Sequence, residues 1–279
     1  MSSYYRPATL TDALSVLAET DAVIAAGCTD LFPATERQQL PGPVLDISAI
    51  TALRGVRRTD AGWRIGATTT WSELRATDLP PAFDMLKQAA AEVGSVQIQN
   101  AGTVAGNLCN ASPAADGVPP LLALDAEVEL TGASGVRRLP WTDFLTGVRR
   151  TQRRADELLT AVHVPTSVGK GASRFLKLGA RKYLVISIAM VAVRQHVVDG
   201  VVKDIALAVG SCSAVAVRLR ELEGKLIGRP VGEIADELTD NAVASCLSPI
   251  SDIRADAHYR AGAAAELLRR ALSDLRDTS

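Results

Sequence analysis

The run from Gln99 to Asp116 (QNAGTVAGNLCNASPAAD) constrains this chain more than any other. It lies between a segment with a helical pattern and the apolar stretch Leu121 to Leu124, and it contains no Lys or Arg. Gly102 and Gly106 let backbone approach a partner closely. Thr103, Asn107, Asn110 and Ser112 offer uncharged hydrogen-bonding groups. Such a run suits a large polar ligand held by backbone N–H groups and short side chains. A turn-rich surface loop that binds nothing has the same composition, so the run by itself leaves both readings open.

A second small-residue stretch, Val23 to Leu31 (VIAAGCTDL), reads as an apolar strand, a glycine turn and the start of a helix. Thr29 is a candidate N-cap, and Asp30 suits the positive end of a helix. That arrangement aims free backbone N–H groups at an anion such as a pyrophosphate. An ordinary strand–turn–helix connection reads the same way.

The 279 residues suffice for a real core and for two or three subdomains. A net charge of −1 gives no electrostatic case for nucleic acid or an anionic membrane. No apolar run reaches the length of a membrane span. The first residues lack a signal-peptide apolar region, so a cytoplasmic location is expected. Cys28, Cys109, Cys212 and Cys246 are scattered and form no C-x-x-C pair, and the three histidines have no metal-binding spacing. No metal or iron–sulfur site is therefore expected in the chain itself.

The remaining pattern is mixed. Asp12 to Glu19 reads as a helix, Ala22 to Ala26 and Val44 to Ile47 as parallel strands, and the residues after Thr29 as a helix ending near Pro41. Leu53–Thr59 and Trp63–Ala67 flank a turn at Asp60-Ala61-Gly62, a hairpin signal. Thr70 and Glu73 form a capping box. A helix is expected from Pro80 to about Val93, a hairpin over Ala126 to Leu139, and a strand over Leu158 to Val164. Arg149, Arg150, Arg153 and Arg154 form a basic cluster, read as a solvated face or as a surface for a partner subunit or an anionic acceptor. Ser167 to Gly171 reads as a linker. Beyond it, Ser173–Leu178, Val185–Val198 and Val201–Val209 suggest antiparallel strands turning at Asp199-Gly200. Val215–Leu226, Val231–Ala244 and Asp256–Leu275 read as helices.

Taken in order, the two small-residue stretches resemble one family. Ala26-Gly27-Cys28-Thr29-Asp30-Leu31 is similar to an A-G-G-T-D-L flavin loop. Thr103 to Leu108, running into Ala111 to Asp116, is similar to a T-I-G-G-N-L…A-S-P-x-A-D loop. The pair resembles the FAD-binding (medium) subunits of the molybdenum hydroxylases, of xanthine dehydrogenase and carbon monoxide dehydrogenase type, over nearly the whole chain. The resemblance implies an α+β chain with the FAD-binding fold of the vanillyl-alcohol-oxidase/PCMH type, made of two α/β lobes, plus a C-terminal antiparallel sheet with helices. It places an N-terminal FAD lobe at residues 1–53, a central lobe at 54–170 and a C-terminal domain at 171–279.

The resemblance also implies roles. The pyrophosphate of FAD would lie on the N–H groups of the first loop, from Ile24 and Ala25 through Ala26, Gly27, Cys28, Thr29, Asp30 and Leu31. Thr103, Val104, Ala105, Gly106 and Asn107 would close over it. Asp116 would accept from a hydroxyl of the flavin side chain, and Leu159 and Val93 would lie at the ring. Lys177 would sit near a ring carbonyl and favour the charge gained on reduction. Two small residues depart from the pattern, Cys28 and Ala105, each in place of a glycine; a required φ > 0 at either would be strained. The acidic residue often found before Ile186 is absent, and Tyr183 stands close by, able to lie against the flavin edge.

By the same resemblance, the chain is an electron-transfer subunit with no catalytic residue for the hydroxylated substrate. Its partners would be a [2Fe–2S] small subunit and a molybdopterin large subunit in a dimer of heterotrimers, with an external electron acceptor. A stand-alone FAD oxidoreductase would need a substrate pocket with its own base, and His and Tyr are scarce near the loops. A non-catalytic nucleotide-binding or scaffold subunit is the other alternative.

Overall fold

A computed structural model describes residues 3–36, 40 and 42–277. The first layer is a three-stranded parallel sheet in the order β1-β3-β2, from β1 (Tyr4–Tyr5), β2 (Val23–Ala25) and β3 (Val44–Asp46). Two-residue β1 has no period to read, so the sequence gives no sign of it. Helix α1 (Leu10–Glu19) opens on Thr9, whose Oγ1 accepts from the Asp12 N–H at 3.2 Å, and it buries Ala13 and Leu17.

The helix expected after Thr29 is absent from the described residues: Thr29 to Ala34 form successive turns. Pro33 has no N–H to give to the Thr29 carbonyl, which breaks the helical ladder one residue after it begins. Arg37 and Pro41, where that helix was expected to continue and end, lie outside the described residues.

The second layer is a five-stranded antiparallel sheet in the order β4-β5-β10-β6-β7. Strands β4 (Val56–Thr59) and β5 (Gly62–Gly66) form the expected hairpin. Next come α2 (Trp71–Ala76), with its Thr70/Glu73 capping box formed in both directions, and α3 (Asp84–Glu92) after a 3₁₀ turn at Pro81–Phe83. Gln99 to Asn110, read from the sequence as a loop, is mostly helical: α4 (Val96–Ala101) and α5 (Val104–Asn110). Ser95 and Thr103 cap these helices, and Ala111 ends α5 in the left-handed conformation. Caps this close together leave each helix too short for a periodic signal. Helix α6 (Val118–Ala123), hairpin β6 (Glu127–Gly132) and β7 (Gly135–Pro140), and α7 (Trp141–Phe144) follow. Strands β8 (Leu145–Gly147) and β9 (Arg150–Thr151) make a small hairpin inside the basic cluster, and β10 (Leu158–Pro165) lies at the sheet centre.

The third layer is a four-stranded sheet of β11 (Ala172–Leu178), β12 (Ala189–Val198), β13 (Val201–Gly210) and β14 (Val217–Arg218), paired in sequence order. Asp199 and Gly200, both at positive φ, make the tight turn between β12 and β13. Its two faces read off by alternation. Met190, Ala192, Ala206 and Ala208 belong to the core shared with the first two layers, whereas Val191, Val193, Leu207 and Val209 form a separate core. α6 packs on β12 and β13, and the terminal helix α8-to-α10 group covers the other core: α8 (Arg220–Leu226), α9 (Asp240–Ala244) and α10 (Ala257–Arg276). Three expectations fail here. Val185 to Ile188 lie outside β12; Val217 and Arg218 pair as strand β14, so the helix expected over Val215–Leu226 begins only at Arg220; and Val231 to Glu237 are turns, with helix beginning only after the Thr239 cap. Polar clamps fix the third layer to the second: Arg218 donates to the Leu122 carbonyl at 2.8 Å, and Ser173 Oγ donates to the Pro81 carbonyl at 2.8 Å. Among the described residues, no helix is long and apolar enough to cross a membrane.

Candidate cofactor cleft

The three layers enclose a cleft of about 1230 Å³. Small-ligand pockets are typically roughly 300–1,000 Å³, so this one has room for a larger ligand. Its walls are the turn after β2, the start of α4, helix α5 with the residues after it, β8–β9 and the segment Leu184–Ile186. Of the residues expected to contact the cofactor, all but Ala25, Val104 and Lys177 line it. Ala25 and Val104 are buried in the core behind their loops.

The turn after β2 supplies the donors. Among the described residues, the backbone N–H groups of Gly27, Cys28, Thr29, Asp30 and Leu31 donate to no protein acceptor. A cluster of unspent amides on a cleft wall needs an acceptor from outside the chain or from water. The turn is also packed where a side chain would not fit: a Cβ on Gly27 would lie 1.9 Å from the Ala101 carbonyl oxygen. Cys28 has φ 57°, so the strain foreseen for a non-glycine at this position is real, while Ala105 sits in α5 without positive φ.

The second loop contributes differently. Its amides are already engaged: Val104 N–H donates to the Thr69 carbonyl at 2.9 Å, Gly106 N–H to Thr103 Oγ1 at 3.1 Å, and Asn107 N–H to the Thr103 carbonyl at 3.0 Å. What α5 offers the cleft is side chains. Asn107 Oδ1 is buried with no hydrogen-bond partner among the described residues, an acceptor suited to a donor from a ligand.

At the far end, Asp116 is buried beneath the cleft. Lys177 Nζ reaches its Oδ2 at 2.8 Å, and Ser187 Oγ donates to its Oδ1 at 2.7 Å. Lys177 also donates to the Glu92 carbonyl at 3.3 Å. Burial pushes the Asp116 carboxyl above its ordinary value, with Lys177 and Ser187 pulling the other way. Burial likewise raises the Cys28 thiol. Sequence reasoning missed Ser187; a lone hydroxyl inside the apolar run Leu184 to Ile188 was the available signal. It also left Arg149 and Arg153 as a general basic cluster, although both line the cleft. Tyr183 is exposed and outside the lining, with Lys182 Nζ 5.2 Å from its ring centre.

The sequence of residues 1–167 matches the family described as FAD binding domain in molybdopterin dehydrogenase. The chain belongs to this family. Residues 174–275 match the CO dehydrogenase flavoprotein C-terminal domain. The chain is 32% identical to the nicotinate dehydrogenase FAD-subunit of Eubacterium barkeri, over 82% of this chain and 80% of that one. It is 31% identical to the glyceraldehyde dehydrogenase medium chain of Sulfolobus acidocaldarius, over 92% of each. Its fold superposes on a chain of reconstituted CO dehydrogenase from Oligotropha carboxidovorans with a TM-score of 0.93 at 27% identity, covering 100% of this chain and 99% of the other. The protein is thus an FAD-binding subunit of the molybdenum-hydroxylase type, an oxidoreductase component, and the stand-alone and scaffold alternatives fall behind that reading.

Proposed function

We propose that FAD lies in the 1230 Å³ cleft and that the chain passes electrons from a [2Fe–2S] partner subunit, fed by a molybdopterin subunit, to an external acceptor. The observation that carries this reading is the set of five amides on the cleft wall, Gly27 to Leu31, that find no acceptor among the described residues. They suit the pyrophosphate, because a diphosphate accepts several N–H donors at once. The orphaned Asn107 Oδ1 and the tight approach of Gly27 to Ala101 fit the same ligand.

Bound FAD supplies the exchange between one-electron and two-electron transfer. The chain's own residues bind and orient it. Asp116 accepts from a side-chain hydroxyl while Ser187 fixes the carboxylate's other oxygen. Lys177, just behind the lining, holds a positive charge against Asp116, and Val93 and Leu159 would give the flavin apolar contact. Thr103 caps α5 and so holds Asn107 at the cleft. The working assembly is a cytoplasmic dimer of heterotrimers, with lobes at residues 1–53, 54–170 and 171–279.

The test is an absorbance spectrum of the chain purified with its partner subunits, followed by acid release of the chromophore. Flavin bands and one FAD released per chain are expected. A colourless complex that also refuses added FAD would overturn the proposal.

A further inference from the structure

The cleft has a charge problem. Its donor turn and α5 bring no Lys or Arg, yet a diphosphate brings two negative charges. Asp30 and Asp116 also line it, and Lys177 is already matched by Asp116. Two cations on the lining remain, Arg149 and Arg153 from the β8–β9 hairpin and the residues after it.

Both guanidiniums are met only by neutral oxygens. Arg149 Nη1 donates to the Asn110 carbonyl at 3.0 Å and to Asn110 Oδ1. Arg153 Nη1 donates to the carbonyls of Arg154 at 2.9 Å and Glu157 at 2.8 Å. Among the described residues, neither pairs with a carboxylate, whereas neighbouring Arg137 and Arg154 both reach Glu157. Arg149 is also held at φ 58°, a conformation that costs a non-glycine residue about 1 kcal/mol. Its N–H donates to the Ala111 carbonyl at 2.9 Å, a bond that glycine would make equally well. The backbone alone would therefore favour glycine, and an arginine at this position points to a use for its side chain.

We propose that the β8–β9 hairpin is a third wall of the cofactor site, with Arg149, assisted by Arg153, supplying the positive charge that holds the phosphates of FAD. This inference rests on the reading of the cleft as an FAD site. It assigns the two loops the shape and donors of the site, and the hairpin its charge. At an exposed edge, that charge acts over about a Debye length of 8 Å at physiological salt, so its contribution is sensitive to ionic strength.

The test uses the full chain with its partner subunits, stripped of flavin and titrated with FAD by equilibrium dialysis. Arg149→Gly removes the guanidinium and relieves the backbone, so the fold is expected to melt no lower than wild type. Its FAD dissociation constant is expected to rise about tenfold at low salt, the difference shrinking in 1 M salt. Arg149→Lys, which keeps the charge but not the fork on Asn110, is expected to retain most of the affinity. Adding Arg153→Gln to Arg149→Gly is expected to weaken binding further. Wild-type affinity in Arg149→Gly would overturn the inference. So would an equal, salt-independent loss in Arg149→Gly and Arg149→Lys, which would mark the arginine as a brace for α5. A wild-type complex that takes up no FAD at all would instead overturn the function proposed above.

Discussion

Lys177 Nζ lies 2.8 Å from Asp116 Oδ2, with the two side chains only 7% and 9% exposed. Neither charge has water to fall back on, so each depends on the other. The pair also joins two layers, since Lys177 comes from β11 and Asp116 from the segment after α5. Lys177→Met is expected to destabilise the flavin-free chain by about 3–5 kcal/mol in urea denaturation at neutral pH. Removing both charges, Asp116→Asn with Lys177→Met, is expected to recover much of that loss. The sign with pH follows from the carboxyl. Burial already raises it, and loss of Lys177 raises it further, so the folded variant binds that proton more readily than the wild type does. A raised folded-state value gives stability at low pH that disappears as pH rises through it. The Lys177→Met defect should therefore be smaller at pH 5 than at pH 8; equal defects would argue against a buried unpaired carboxylate.

Cys28 stands in the left-handed region at φ 57° in the donor turn. Among the described residues, its Sγ has one hydrogen-bond partner, the Ala26 carbonyl at 3.6 Å. Glycine removes the steric cost of about 1–2 kcal/mol and adds about 0.5–1 kcal/mol of backbone entropy cost. Cys28→Gly is expected to raise thermal stability by about 0.5–1 kcal/mol, a melting shift of roughly 2 °C, with FAD uptake kept. A lower melting temperature would show that the packing of the thiol outweighs the strain at φ 57°.

Much of this was legible beforehand because the chemistry is local. Thr70 and Glu73 declare a capping box, Asp199-Gly200 declares a tight turn, and β12 and β13 alternate cleanly enough to assign both faces. The cleft itself was legible as two stretches of small residues, since close approach leaves its mark in glycine. Three things were not. The helices α4 and α5 are too short for periodicity to show, so a capped pair read as a loop. The stretch after Thr29 has helical character, and only Pro33 hints that the ladder fails. Ser187 reaches Asp116 across 71 positions of sequence, and no local pattern encodes such a contact. The unequal use of amides, free in the first loop and engaged in the second, likewise depends on partners such as Thr69 that only the tertiary fold supplies.

Gly27 tests the close approach directly. A Cβ there would meet the Ala101 carbonyl oxygen at 1.9 Å and the Gly102 Cα at 2.9 Å, backbone atoms rather than the end of a flexible side chain. Gly27→Ala is expected to destabilise by about 1–3 kcal/mol and to weaken FAD uptake, because the donor turn must move away from α4. Gly224 is the matched control: it lies within α8, with open space where a Cβ would go. Gly224→Ala is expected to stabilise by about 0.5–1 kcal/mol and to leave FAD uptake unchanged. Similar effects of the two substitutions would deny Gly27 its special packing.

Glu157 gives a pH dependence with a definite sign. Its Oε1 and Oε2 accept from Arg137 Nε at 2.6 Å and Nη2 at 2.8 Å, and Oε2 also accepts from the Arg154 N–H at 2.8 Å. The carboxylate is 3% exposed, and the Arg137 bond holds it below its ordinary value. A depressed folded-state value means that the unfolded chain binds the proton more readily, so stability rises with pH in that interval. The contribution is full above the unfolded value of about 4.3 and is lost as pH falls through the folded one. Glu157→Gln is expected to cost about 2–3 kcal/mol at pH 7, where two charge-assisted bonds are lost. Because the variant has no carboxyl to protonate at this site, its stability should also fall less steeply between pH 5 and pH 3. Urea denaturation at stepped pH reads both effects. Parallel pH profiles for the variant and wild type would place the acid sensitivity in some other carboxylate.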